Sequence, residues 1–143
     1  ATHWALPGTP TAEGLKIDKE LSVGGETPFA DCTLFVFETL KAPECIVRVD
    51  RADGIAVACD ALQNYTEVDE YFDAGTAEKM GAMGFFAPAN VGPAWIQMME
   101  PKAADFERLK SFDFKHTLPG HGKPLRDTAQ EDYRATFARV FGV

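Results

Sequence analysis

The sequence has no CxxC pair, no run of five like charges, and only three histidines, His3, His116 and His121. The three cysteines, Cys32, Cys45 and Cys59, are odd in number and make no disulfide framework. They suit buried free thiols in a reducing compartment, so a cytoplasmic location is expected. Basic residues are few: Lys and Arg number 14 against 22 Asp and Glu, for a net charge of −8. A phosphate backbone is held by clustered Lys and Arg, so a nucleic-acid partner is not expected. No GxGxxG or GxxxxGK[ST] phosphate loop occurs, and no GxSxG nucleophile elbow. No charged-then-apolar leader opens the chain, so no signal peptide is expected. The first residue is Ala1 rather than Met, which leaves room for a longer gene product upstream.

What is present fits a globular chain. Its 143 residues are 45% hydrophobic and 25% charged, the length and balance of one ordinary domain over residues 1–143. Such a chain buries roughly two-thirds of its unfolded surface and needs no staples. One stretch, Met80 to Met99, carries no charge over 20 residues, close to the length that crosses a bilayer. Pro88, Pro93 and Asn90 would leave backbone groups unpaired in lipid, so no membrane span is expected. Phe85, Phe86, Trp95, Met98 and Met99 within it form a candidate substrate or partner surface. Interface centres favour aromatics and Met, and a homo-oligomer is expected on that ground. The competing reading folds the stretch back as a lid over its own sheet.

The first half of the chain reads as strands. Leu15 to Val23 alternates like a half-buried strand or two short ones. Thr33 to Glu38, Cys45 to Asp50 and Gly54 to Asp60 predict an antiparallel meander, with the Asp53-Gly54 pair as its hairpin turn. The second half turns helical: Glu67 to Met83, then Pro101 to Phe112. One more strand follows over Phe112 to Leu118, and then a last helix. That helix is expected to start at Asp127 as N-cap, with Gln130 as capping-box partner. Its apolar stripe is Ala129, Tyr133, Phe137, Val140 and Phe141, and Gly142 ends it.

Two residues sit where chemistry is usually placed. His121 lies in Leu118-Pro119-Gly120-His121-Gly122-Lys123-Pro124, a glycine-flanked loop after a strand. It is either a ligand or a histidine that caps the turn. Asp60 ends the apolar strand Ile55 to Cys59, where a carboxylate needs a cation or hydrogen-bond donors. It is either a metal ligand or the N-cap of the turn that follows.

Together these segments resemble the second half of the metallo-β-lactamase superfamily. The likeness rests on the strand-Asp segment GIAVACDALQN, the LPGHGKP loop about sixty residues on, and the long terminal helix. It implies an α/β fold, an αββα sandwich of which this chain supplies mainly the second-half antiparallel sheet and its covering helices. The N-terminal part of that fold would lie outside the chain. It also implies metal-dependent hydrolysis, with zinc or another divalent ion activating water against an ester, amide or thioester bond. Asp60 and His121 are the residues that match the family's ligands. Pro43-Glu44-Cys45 falls where the family has a PGH-type turn, which makes Glu44 a further candidate. His116, five residues before His121, is another, although a mid-strand histidine is more often a satisfied core or surface residue. His3 belongs to a terminus expected to fray.

The departures matter as much. The family's HxHxDH motif is absent, Glu38 to Glu44 contains no histidine, and Cys59 stands where a glycine usually precedes the Asp. Two ligands fall short of the about three or four that zinc takes. Two functions therefore remain open: a hydrolase with a degenerate metal site, or a non-catalytic ligand-binding or dimerising protein that keeps the fold without metal.

Overall fold

The computed structural model describes residues 1–143. Its elements in order are β1 (Trp4–Ala5), β2 (Lys19–Glu20), β3 (Cys32–Val36), β4 (Cys45–Val49), β5 (Ile55–Val57), β6 (Gln63–Tyr65), α1 (Ala74–Ala82), β7 (Ala87–Asn90), α2 (Pro93–Met99), α3 (Ala103–Leu109), β8 (His116–Leu118) and α4 (Ala129–Phe141). The architecture is mixed α/β. No helix is long and apolar enough to cross a membrane.

The meander forms as its hydrophobic alternation dictates. Strands β3, β4 and β5 pair antiparallel, with Leu34 opposite Val47 and Val47 opposite Val57. The β4–β5 turn centres on Ala52 and Asp53, both with positive φ, and the Gly54 amide donates to the Arg51 carbonyl. Two left-handed central residues are what a type I′ hairpin requires, and Asp tolerates that region. The turn thus sits one residue earlier than the Asp53-Gly54 reading put it. Strand β8 completes the sheet in the order β3-β4-β5-β8, parallel to β5. A separate antiparallel pair, β6–β7, lies beside it.

One face of the sheet carries the core. Phe35, Phe37, Ile46 and Ala56 pack against Trp95, Phe106, Leu109, Tyr133 and Phe137 from the helices. Phe106 stacks on Phe141 with ring centroids 3.7 Å apart, so the stripe of α4 is used as expected, apart from the more exposed Val140. On the opposite face, Leu6 and Leu21 cover Cys32 and Leu34, while Val57 and Leu118 remain exposed.

Asp105 is the polar anchor of this arrangement. It is fully buried on α3, a site where an unpaired carboxylate would be very costly. Its oxygens accept from the Glu38 and Thr39 amides, the Thr39 hydroxyl and the Arg108 guanidinium, at 2.6–3.0 Å. Arg108 also donates to the Val36 carbonyl. The clamp fixes α3 to the chain leaving β3.

Several expectations are corrected. Leu15 to Val23 is strand only at Lys19–Glu20, because Leu15 and Val23 find nothing to pack on and stay exposed. Helix α1 covers only Ala74–Ala82, started by Asp73, whose side chain accepts from the Thr76 amide. The N-terminal segment is tied down at His3, whose carbonyl accepts from the Asp18 and Lys19 amides and whose amide donates to the Asp18 carboxylate. Trp95 is not at the surface. It is 3% exposed, edge-on to Phe37 and Phe106, with its indole N–H donated to Glu44. Of the thiols, Cys32 is buried, Cys45 half-buried and Cys59 exposed, and all three are free. Asp127 is not the N-cap of α4, since its φ is +69° and Thr128 takes that place. Gln130 reaches the Lys110 and Phe112 carbonyls instead of closing a capping box.

Breaking the clamp strands several polar groups at once. Asp105→Ala is expected to lower unfolding free energy by about 3 kcal/mol or more. Urea denaturation checks it, and a loss below about 1 kcal/mol would contradict the role given to Asp105.

Candidate functional site

Parallel pairing of β5 and β8 sets Val57 opposite Leu118, so both strands end at the same edge of the sheet. The pairing continues past the strands: the Ala58 amide donates to the Leu118 carbonyl, and the Gly120 amide to the Cys59 carbonyl at 3.3 Å. Asp60 and His121 therefore emerge side by side. His121 Nε2 lies 2.8 Å from Asp60 Oδ1. Asp60 is held neither by the amides of the following turn nor by a Lys or Arg, as the sequence alone suggested; its partner is the imidazole.

Glycines make this approach possible. A Cβ on Gly120 would lie 2.7 Å from the Cys59 carbonyl carbon, and one on Gly122 1.9 Å from the Asn64 carbonyl oxygen. Gly122 also has φ +88°, which other residues rarely adopt. Asn64 fastens the loop on its far side. Its amide donates to the His121 carbonyl, its carbonyl accepts from the Lys123 amide, and its side chain donates to the Lys123 carbonyl. The Asn64 side-chain oxygen accepts from the Ala89 amide, which joins the loop to β7. Nothing in local pattern singled out Asn64, because its work is done by backbone contacts remote in sequence.

His121 forms part of the wall of a cavity of about 530 Å³. Across from the loop stand Tyr65, Phe72, Met80 and Phe85, with Glu67, Asp69 and Lys123 at its polar side. Of the uncharged stretch, Phe85 reaches this cavity and Phe86 backs it, edge-on to Tyr65 and Phe72. Met98 is exposed elsewhere and Met99 packs against the core. Tyr65 donates its hydroxyl to Asp69 at 2.7 Å, and that bond to a carboxylate holds the phenol protonated above its ordinary range.

Glu44 is the candidate that the fold draws closest to the pair. One carboxylate oxygen accepts from Trp95, while Oε1 is buried without a partner. Burial, first, and the nearby Asp60 charge push its pKa upward, against the Trp95 bond that lowers it. The Cys59 thiol, disfavoured as thiolate by desolvation and by the Asp60 and Glu44 charges, is a poor nucleophile. His116 does not join the site. It starts β8, at the opposite end from His121, and its Nδ1 accepts from the Asp127 amide. That bond explains why Asp127 is drawn away from capping. His3 is likewise occupied, its Nδ1 lying 3.1 Å from the Lys16 carbonyl.

Asp60 and His121 would supply one hard oxygen and one imidazole nitrogen to an ion. No three or more His, Cys, Asp or Glu residues are grouped so as to hold one. Two donors are short of the about three or four that zinc takes. The donors grouped in this chain do not by themselves fit a zinc ion. What the pair can do unaided is orient a base. With Nε2–H donated to Asp60, the imidazole presents Nδ1 as its free acceptor. No protein-family model matches the chain, and no curated protein is significantly similar to it.

Two outcomes follow from this geometry. Nitrogen NMR of neutral His121 is expected to show the proton on Nε2, and Asp60→Ala should return the ring to a mixture of tautomers. An unchanged tautomer would mean that Asp60 does not orient it. For Glu44, a raised folded-state pKa means that stability falls as pH rises through it. Glu44→Gln removes that loss, so the variant should gain on the native chain between acid and neutral pH. A stability difference that does not change with pH would contradict the burial of that charge.

Proposed function

We propose that the chain is a metallo-β-lactamase-like hydrolase domain with a degenerate metal centre, in which Asp60 and His121 are what remains of the ligand set. The carrying observation is their meeting at the shared end of β5 and β8, with His121 on the wall of a cavity. The resemblance of the GIAVACDALQN and LPGHGKP segments adds to it. A sheet covered by helices on one face, with Val57 and Leu118 exposed on the other, is compatible with half of an αββα sandwich. Any further metal ligands would come from outside these residues.

The chemistry available to the chain itself is general-base hydrolysis of an ester, amide or thioester. His121 Nδ1 takes a proton from water as the water oxygen attacks the carbonyl carbon. The Asp60 carboxylate stabilises the positive charge that develops on the imidazole. The proton then passes from Nδ1 to the departing alcohol, amine or thiol as the carbonyl re-forms. The side chains of Asp60 and His121 are 36% and 54% exposed, which leaves the pair accessible to water and substrate.

A second reading has its own support. The same cavity would serve a non-catalytic protein that binds a small molecule there. Self-association over Val57 and Leu118 belongs to this reading; the buried Trp95 no longer argues for it.

Aryl ester and thioester hydrolysis tests the first reading. His121→Ala should lower kcat/KM by about 100-fold or more, and Asp60→Ala should lower it less. Rates equal to those of the native chain would contradict a base at His121. Metal content after dialysis against a chelator should stay below one ion per chain. Stoichiometric zinc would instead point to Glu44 as a further ligand beside the pair, since His116 and His3 are engaged elsewhere.

A further inference from the structure

The cavity beside His121 has a charge and surface that select among ligands. Its apolar wall is aromatic: the Tyr65 and Phe72 centroids are 6.0 Å apart, and Phe86 stands 5.4 and 5.7 Å from them. Phe85 and Met80 extend that wall. Its charged side chains are Glu67, Asp69 and Lys123, one net negative charge. Of the basic residues lining it, Lys123 is paired with Glu67 and His121 with Asp60. Asp69 is engaged by the Tyr65 hydroxyl and the Tyr71 amide, neither of which neutralises it. Asp60 stands behind His121, and the chain as a whole carries −8.

An anionic ligand would thus meet carboxylates and no free cation. An ammonium group would meet carboxylates and the negative faces of aromatic rings, both of which attract it. We propose that the cavity binds an organic cation, an ammonium carried on an apolar or aryl body. The body lies along Tyr65, Phe72 and Phe85, and the ammonium lies toward Glu67 and Asp69. This names the substrate class of the site described above and rests on the reading that His121 works at that cavity.

Three probes of one shape and different charge test it: phenethylammonium, 2-phenylacetamide and phenylacetate. Each is titrated into the full chain and followed by amide NMR shifts at Tyr65, Phe72 and His121. Phenethylammonium should bind roughly tenfold tighter than phenylacetate, with the amide between them. Added salt should narrow the gap. The double variant Glu67→Gln/Asp69→Asn leaves Lys123 uncompensated and turns the lining from one net negative to one net positive charge, so the order should reverse. Circular dichroism verifies its fold, and Asp69→Asn alone should narrow the gap if the double variant is unfolded. Phenylacetate binding as tightly as the cation, shifts confined to other amides, or an order unchanged in a folded variant would overturn the inference. His121→Ala should keep the charge order, because the base is not needed for binding. Charge-ranked binding without hydrolysis would therefore fault the hydrolase reading alone, and charge-blind binding this inference alone.

Discussion

Val57 faces Leu118 across a parallel pair, and from that register the rest of the site follows. Asp60 lies three residues beyond Val57, and His121 three residues beyond Leu118. Equal steps from one paired rung bring the two side chains to the same height over the sheet edge. An antiparallel β8 would send His121 to the far end, where His116 now stands. Strand ends followed by short loops are where sheet proteins concentrate function, since the strands are rigid and the loops are free to vary. Here the loop is fastened as well, because its glycines let it lie against backbone on two sides.

Precision at the pair depends on contacts that involve neither side chain. Asn64 binds the loop through backbone and amide groups, and the Asp60 carbonyl accepts from the Gly92 amide at 3.2 Å. Tyr133, buried on α4, donates to the Gln63 carbonyl and so ties the terminal helix to β6. The core is thereby coupled to the site. Displacing α4 would move β6, and through Asn64 it would move the carbonyl of His121. Asp105 plays the matching part on the other side of the core, where it holds α3 to the chain that leads toward Glu44.

Local pattern carried much of the fold. The meander β3-β4-β5, helix α3 and the stripe of α4 could be read from alternation and period, since each is dictated by neighbours a few residues away. The pairing of β5 with β8 could not, because about sixty residues intervene and parallel register leaves no turn signature. Asp60 and His121 were legible as strand-end residues, whereas their hydrogen bond to each other was not. The aromatic wall was half visible: Phe85 stood out in an uncharged run, but Tyr65 and Phe72 meet it only because the chain before α1 does not follow the helical period expected there. Trp95 shows the limit most plainly. A hydrophobic run has the same composition whether it faces a partner or its own core, and only the packing of Phe37 and Phe106 decides between them. His116 was displaced from the site for a similar reason, its ring nitrogen being taken by the amide of Asp127, eleven residues away.

The central claim is that Asp60 and His121 interact directly, and a double-mutant cycle measures that most simply. Unfolding free energies of the native chain, Asp60→Ala, His121→Ala and the double variant give the coupling between the two side chains. The pair is partly exposed, so a favourable coupling of about 0.5 kcal/mol at low ionic strength, reduced by added salt, is expected. Strict additivity of the two losses at low salt would mean that the side chains do not meet, and would contradict the site built on them.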